Sequence, residues 1–312
     1  MKVTLDKRLS SKESPQGLAA MIETLEGEIF KRENQHCSLL YASQHAEGGG
    51  YVASMPQLIM GRIKAPFTDG MWLLPIAANS EEIFGIDNHG KYAEKGQPVF
   101  IEIHGGGIFS SPMRLEQARN NGQGWKGASE LYHKEFDLLL NDGVANGKKI
   151  PAFFNYNEFL ELSRKPEFYY RHKNYGIIMD FYGATDRTSR MCKIDGMDFN
   201  PLMIARMGGT MLMGAYLEKM MDFYNTNIVG NWHFFRSVSD NPGIINEIGP
   251  HGGILLLGNE PNRHISNIGP FENVQFAAVS AESLKKYYKS LVDKSVKKVV
   301  EGLEKITSRY IV

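Results

Sequence analysis

Apolar positions follow two different rhythms along this chain. Leu18, Ile22, Leu25 and Ile29 recur at intervals of four, three and four, the spacing of one helical face. Ser14-Pro15 precedes them, with a hydroxyl suited to the N-cap and a ring suited to the first helical position, so a helix is predicted from Ser14. Gly17 and Gly27 weaken it, so it needs tertiary support. From Cys37 to His104 the rhythm changes to short apolar runs: CSLLYAS, YVASMPQLIMGRI, GMWLLPIA and QPVFIEIH. Gly, Pro, Asn and Asp separate them, with turn signals at 48–50, 68–70 and 87–90, and the runs read as strands. Nothing between them is long and periodic enough for a crossover helix, so neighbouring strands are predicted to be mostly antiparallel. Pro56 and Pro75 predict edges or breaks in that sheet.

Helical patterns follow. Ser110-Ser111-Pro112 opens one, residues 129–140 form another, and Asn157 starts a short one that ends before Pro166. YGIIMDFY at 175–182 reads as a buried strand, and Asn200-Pro201 opens a Met/Gly-rich helix. Apolar segments at 227–238, 251–259 and 273–280 come next, and Ser280 caps a long closing helix. Its stripe runs through Leu284, Tyr288, Leu291, Val292, Val296, Val299, Leu303, Ile306 and Tyr310. Strands, then helices, then strands again predict an α+β fold: mostly antiparallel sheet with packed helices, a helical insertion around 111–170 and a long C-terminal helix. With short linkers, residues 1–312 read as a single integrated α+β domain, or two tightly packed lobes with a boundary near 111–170.

Composition narrows the function classes. The chain is 42% apolar, and 35 basic residues balance 35 acidic ones. That balance argues against general nucleic-acid binding through phosphate neutralisation. No apolar stretch is long enough for a membrane span, and the basic amino terminus is not followed by a signal-like apolar region, so a cytoplasmic location is expected. Cys37 and Cys192 are expected to be unpaired thiols.

Candidate chemistry centres on VFIEIHGGGIFSSPMR, 99–114, where an apolar strand runs into His104, Gly105, Gly106 and Gly107 and then a capped helix. Three glycines leave backbone N–H groups open to an oxyanion or phosphate. The His-Gly-Gly-Gly run is similar to the oxyanion loop of lipase and esterase α/β-hydrolases, but the G-x-S-x-G elbow that family needs is absent from the chain. Strand alternation puts Glu102 beside His104, where a carboxylate orients an imidazole. A second His-Gly-Gly lies at His251. If the two loops meet, His104 and His251 with Glu102, Asp180 or Glu247 are enough for a divalent metal. Asp180, ending an apolar strand, needs a partner, and Arg187 and Arg190 lie in the loop beyond it, placed either to pair with it or to clamp an anion. Trp232, Phe234 and Arg236 form an aromatic–Arg pattern that reads chiefly as core.

These features predict an enzyme, hydrolytic or group-transferring, acting on a small polar or anionic substrate. In that reading His104, His251, Asp180 and Glu102 are catalytic, and Gly105, Gly106, Gly107, Arg187 and Arg190 bind the anion. The alternative is a non-catalytic protein that self-assembles or binds a partner. The Met/Gly helix at 202–221 and the closing helix predict a homo-oligomer.

Overall fold

The computed structural model describes residues 27–31, 34–121, 129–165, 167–185, 191–193, 201–230, 249–260, 265–267 and 274–307. The helix expected from Ser14 therefore lies outside the described residues, apart from 27–29. The strands are β1 (Glu28–Lys31), β2 (Tyr51–Val52), β3 (Ile76–Asp87), β4 (Gln97–His104), β5 (Val144–Ala145), β6 (Lys148–Lys149), β7 (Phe153–Asn155), β8 (Tyr175–Asp180), β9 (Met191–Lys193), β10 (Ile228–Gly230), β11 (His251–Leu257), β12 (Ile265–Asn267) and β13 (Gln275–Val279). The helices are α1 (Gln35–His45), α2 (Met55–Lys64), α3 (Gly70–Leu73), α4 (Pro112–Asn120), α5 (His133–Asp142), α6 (Tyr156–Leu162), α7 (Glu167–Arg171), α8 (Phe181–Thr185), α9 (Pro201–Arg206), α10 (Thr210–Tyr224) and α11 (Ala281–Thr307).

The main sheet runs β1-β13-β3-β4-β8-β7, and the α+β class expected from the sequence is the one observed. Pairing is antiparallel except between β13 and β3 and between β7 and β8. The twelve-residue β3 is the hub. Its first residues pair with β13, its later ones with β4, and β11 pairs along it as well. Alternation divides the core. One face carries Phe84, Phe100, Tyr175 and Ile177 against α2, α6, α9 and α10. The other carries Ile83, Val99, Ile101 and Ile103 against α1, α4 and α5.

Three local expectations are corrected. CSLLYAS and YVASMPQLIMGRI fall largely in α1 and α2 rather than in strands. At α2 the Ser54 N–H donates to Gln57 Oε1 at 2.8 Å, closing a capping box, and Pro56 occupies the first turn, where it costs no bond. Met55, Leu58, Ile59 and Arg62 are then buried at helical spacing. Ile29 belongs to β1, opposite Ala277, not to a helix. The Met/Gly segment is two helices broken at Gly208 and Gly209, whose φ values of 82° and 118° suit only glycine. Its Met203, Met207, Met213 and Met220 are buried in this chain's own core, so they present no subunit surface.

Arg62 ties these layers together. Fully buried, it donates to the carbonyls of Met71, Leu74, Leu257 and Gly258 and to the Tyr216 hydroxyl, and its guanidinium lies 5.7 Å from the centroid of the Trp72 ring. Among the described residues no helix is long and apolar enough to cross a membrane.

Candidate functional site

The expected His104–Glu102 neighbourhood exists, but it lies inside the protein. Both residues are fully buried. His104 Nδ1 is 2.8 Å from Ser80 Oγ, and Nε2 is 3.0 Å from the Ala205 carbonyl. The Ala205 carbonyl can only accept, so Nε2–H donates to it; Nδ1 of the neutral ring then accepts from the Ser80 hydroxyl, whose oxygen accepts from the Met55 N–H. This is a neutral imidazole with both nitrogens committed. Burial pulls its pKa down to about 4. Glu102 Oε1 is 3.7 Å from Nδ1, yet no ion pair forms, because that nitrogen accepts rather than donates. Burial, followed by the facing Glu82 carboxylate, pushes Glu102 well above the usual carboxylate range.

Glu82 is the group that makes this layer ionic. It stands opposite Glu102 in the ladder, and Arg206 of α9 clamps it with Nε to Oε2 at 2.8 Å and a terminal nitrogen to Oε1 at 2.6 Å. Both residues of the pair are fully buried. The sequence reading missed Glu82, Glu81 and Arg206. The signal available was Arg206 itself, a lone charge in the apolar run LMIARM, which demands a buried counter-charge.

An anion cradle follows the glycine run, and the chain itself fills it. Gly105 and Gly106, at φ 90° and 110°, donate their amides to the Asn79 carbonyl. The three amides after Gly107, of Ile108, Phe109 and Ser110, converge on the Glu81 carboxylate, joined by the Ser110 hydroxyl. A Cβ on Gly107 would overlap that carboxylate. Of the glycine amides expected to receive a substrate oxyanion or phosphate, those of Gly105 and Gly106 are thus engaged by Asn79, and the cradle just beyond them is filled by Glu81, a buried side chain of β3.

The remaining expected residues do not converge here. His104 faces Ser80 and His251 faces Phe84, on opposite edges of β3. Four residues along the hub and two strand spacings across place their backbones roughly 16 Å apart. Asp180 pairs with Val99, at the far end of β4 from His104, and its exposed carboxylate caps the Gly183 amide. Arg187, Arg190, Glu247, Trp232, Phe234 and Arg236 lie outside the described residues. Among the described residues no group of three His, Cys, Asp or Glu side chains is placed to hold a metal ion. Cys37 is a free thiol, and the side chain of Cys192 lies outside the described residues.

Polar groups at the surface gather instead around Arg114 of α4. Its guanidinium bonds the Glu135 carboxylate at 2.8 Å and the Glu130 carbonyl at 2.8 Å, and it packs over the Phe109 ring. Glu135 also accepts from the Tyr132 N–H, while Glu130 lies 3.6 Å from His251 Nε2. From this braced junction two large side chains stand into solvent, Met113 at 67% and Tyr132 at 79% exposure.

Neither a family model nor a curated protein matches this sequence. A solved structure does: a protein from Nanoarchaeota in which the C-type lectin fold accommodates massive sequence variation. It matches with a TM-score of 0.56 at 20% identity, over 82% of this chain and 98% of that one. The expectation of a hydrolytic or group-transferring enzyme is corrected on this ground. The shared architecture is that of a C-type lectin fold protein, and His104 and the glycine loop are spent on internal bonds.

Proposed function

We propose that this chain is a non-catalytic binding protein whose partner is another protein. The observation that carries the reading is the filled cradle. Glu81 consumes the loop amides, Arg206 consumes Glu82, and the His104 nitrogens are both bonded, so the polar chemistry of the sheet holds the scaffold together. A scaffold secured from inside leaves its surface free to change, which accords with the variation that the C-type lectin fold accommodates in the Nanoarchaeota protein.

Met113 and Tyr132 are the contact residues of this proposal. Exposed Tyr and Met are enriched at interfaces, and the Arg114–Glu135 brace fixes their backbones in advance, which lowers the ordering cost of association. The test starts with partner capture by chemical cross-linking, followed by titration of the purified partner against this protein. Met113→Ala/Tyr132→Ala is expected to weaken the measured affinity roughly tenfold or more while leaving the thermal midpoint unchanged. Unchanged affinity removes these two residues from the interface. A purified fraction that this protein turns over, with turnover abolished by His251→Ala, refutes the non-catalytic reading.

A further inference from the structure

The closing helix α11 leaves the domain with an uncovered apolar stripe. Its 27 residues span roughly 40 Å. Its start is fixed by the Ser280 cap on the Ser283 amide and by Lys173, whose ammonium reaches the Tyr288 hydroxyl and ring. Farther out the stripe is open: Tyr288 is 49% exposed, Val292 61% and Val296 56%. Residues four apart lie on one helical face, so these three form a continuous apolar ridge.

The register of the sheet says what lies beside that ridge. β1 runs antiparallel to β13 with Glu28 opposite Ala278, and α11 begins three residues beyond Ala278. The chain that precedes Glu28 therefore enters the domain at the point where α11 leaves it, travelling in the opposite direction. That preceding stretch carries Leu18, Ile22 and Leu25 at intervals of four and three. Set antiparallel, Leu25 falls opposite Leu284, Ile22 opposite Tyr288 and Leu18 opposite Val292. Charge matches as well. Residues 14–28 hold Glu23, Glu26 and Glu28 and no Lys or Arg, whereas α11 holds seven lysines against four acidic residues. Lys285 and Lys289 sit beside the positions that Glu26 and Glu23 would take.

We infer that residues 14–26 dock antiparallel along the Tyr288–Val292–Val296 face of α11 in the same molecule, so that the two segments form one arm. The test uses the full chain with Cys37→Ser and Cys192→Ser as background. Leu18→Cys/Val292→Cys should oxidise to a disulfide within one molecule, at a rate independent of protein concentration. Leu18→Cys/Asp293→Cys, turned about 100° round the helix, should oxidise about tenfold more slowly. Equal rates for the two pairs overturn the inference. So do products that form only between two chains, which assign the ridge to a second copy. Independently, Ile22→Asp/Leu25→Asp should speed hydrogen exchange over residues 284–296 about tenfold, and unchanged exchange overturns the inference.

Discussion

Replacing Arg206 by Met keeps the length of the side chain and removes the charge that neutralises Glu82. In the parent protein two bonds of 2.8 and 2.6 Å hold that carboxylate in a layer with no solvent exposure. In Arg206→Met the carboxylate faces Glu102 directly and follows Glu81 along β3, with no counter-charge from Arg206. Breaking a buried pair from one side costs about 3–5 kcal/mol, a large part of a typical stability of roughly 5–15 kcal/mol. The loss corresponds to a fall in thermal midpoint on the order of 10 °C. The pH dependence separates charge burial from lost packing. Stranded Glu82 has a folded pKa above its unfolded value of about 4.3. Its protonated form is tolerated below that value, and stability is lost as pH rises through and beyond it. The deficit measured by urea unfolding should therefore be about 1 kcal/mol near pH 5 and reach its full size near pH 8. Glu82→Gln/Arg206→Met should recover most of the loss at the higher pH, since neutral groups of similar shape fill the layer without a net charge. A deficit below about 1 kcal/mol at pH 8, or one of the same size at both pH values, would refute this account of the layer.

Gly107→Ala should cost about 2–4 kcal/mol, because the new methyl group displaces the Glu81 carboxylate and leaves three loop amides without their acceptor; a denaturation midpoint within error of the parent counts against the filled cradle. His104 is neutral in the folded protein, with its pKa held near 4, so its contribution is complete above the unfolded value near 6.5 and is lost as pH falls toward 4, to a limit of about 3 kcal/mol. Glu102, raised by burial, acts with the opposite sign: its contribution is present below the ordinary carboxylate range and is lost as pH climbs. Urea unfolding from pH 4 to 8 should thus show a flatter acid limb for His104→Gln and a flatter alkaline limb for Glu102→Gln, and parallel curves for all three proteins would show that neither group titrates on unfolding.

The strands that were legible in the sequence are those whose apolar runs are uninterrupted. QPVFIEIH became β4 without a residue gained or lost, and most of YGIIMDFY became β8. β3 was hidden because its centre reads Asn79-Ser80-Glu81-Glu82, a sequence that looks solvated until Arg206 and the loop amides are seen to neutralise it. α2 was hidden because Pro56 breaks strands and starts helices, and only the Ser54–Gln57 box decides between the two. The adjacency of Glu102 and His104 was legible from alternation, whereas the amides that form the cradle are those of Ile108, Phe109 and Ser110 rather than the glycine amides expected. What occupies those groups was not legible, since Glu81, Ser80 and Arg206 come from elements 24 to 124 residues away from their bonding partners.

The order of strands in the main sheet also sets a timetable for the ribosome. Glu28 of β1 pairs with Ala278 of β13. At synthesis rates of roughly 5–20 residues per second, about 12 to 50 s pass between the emergence of these two partners. β3, β4 and β8 can pair early in that interval, but the flank of β3 that receives β11, and its first residues that receive β13, stay uncovered until those two strands are made. Nascent chains and products that stop short of Gln275 carry that open edge, so they are the species on which chaperones, proteases and aggregation act, and slower growth during production favours the full-length protein by lowering their concentration.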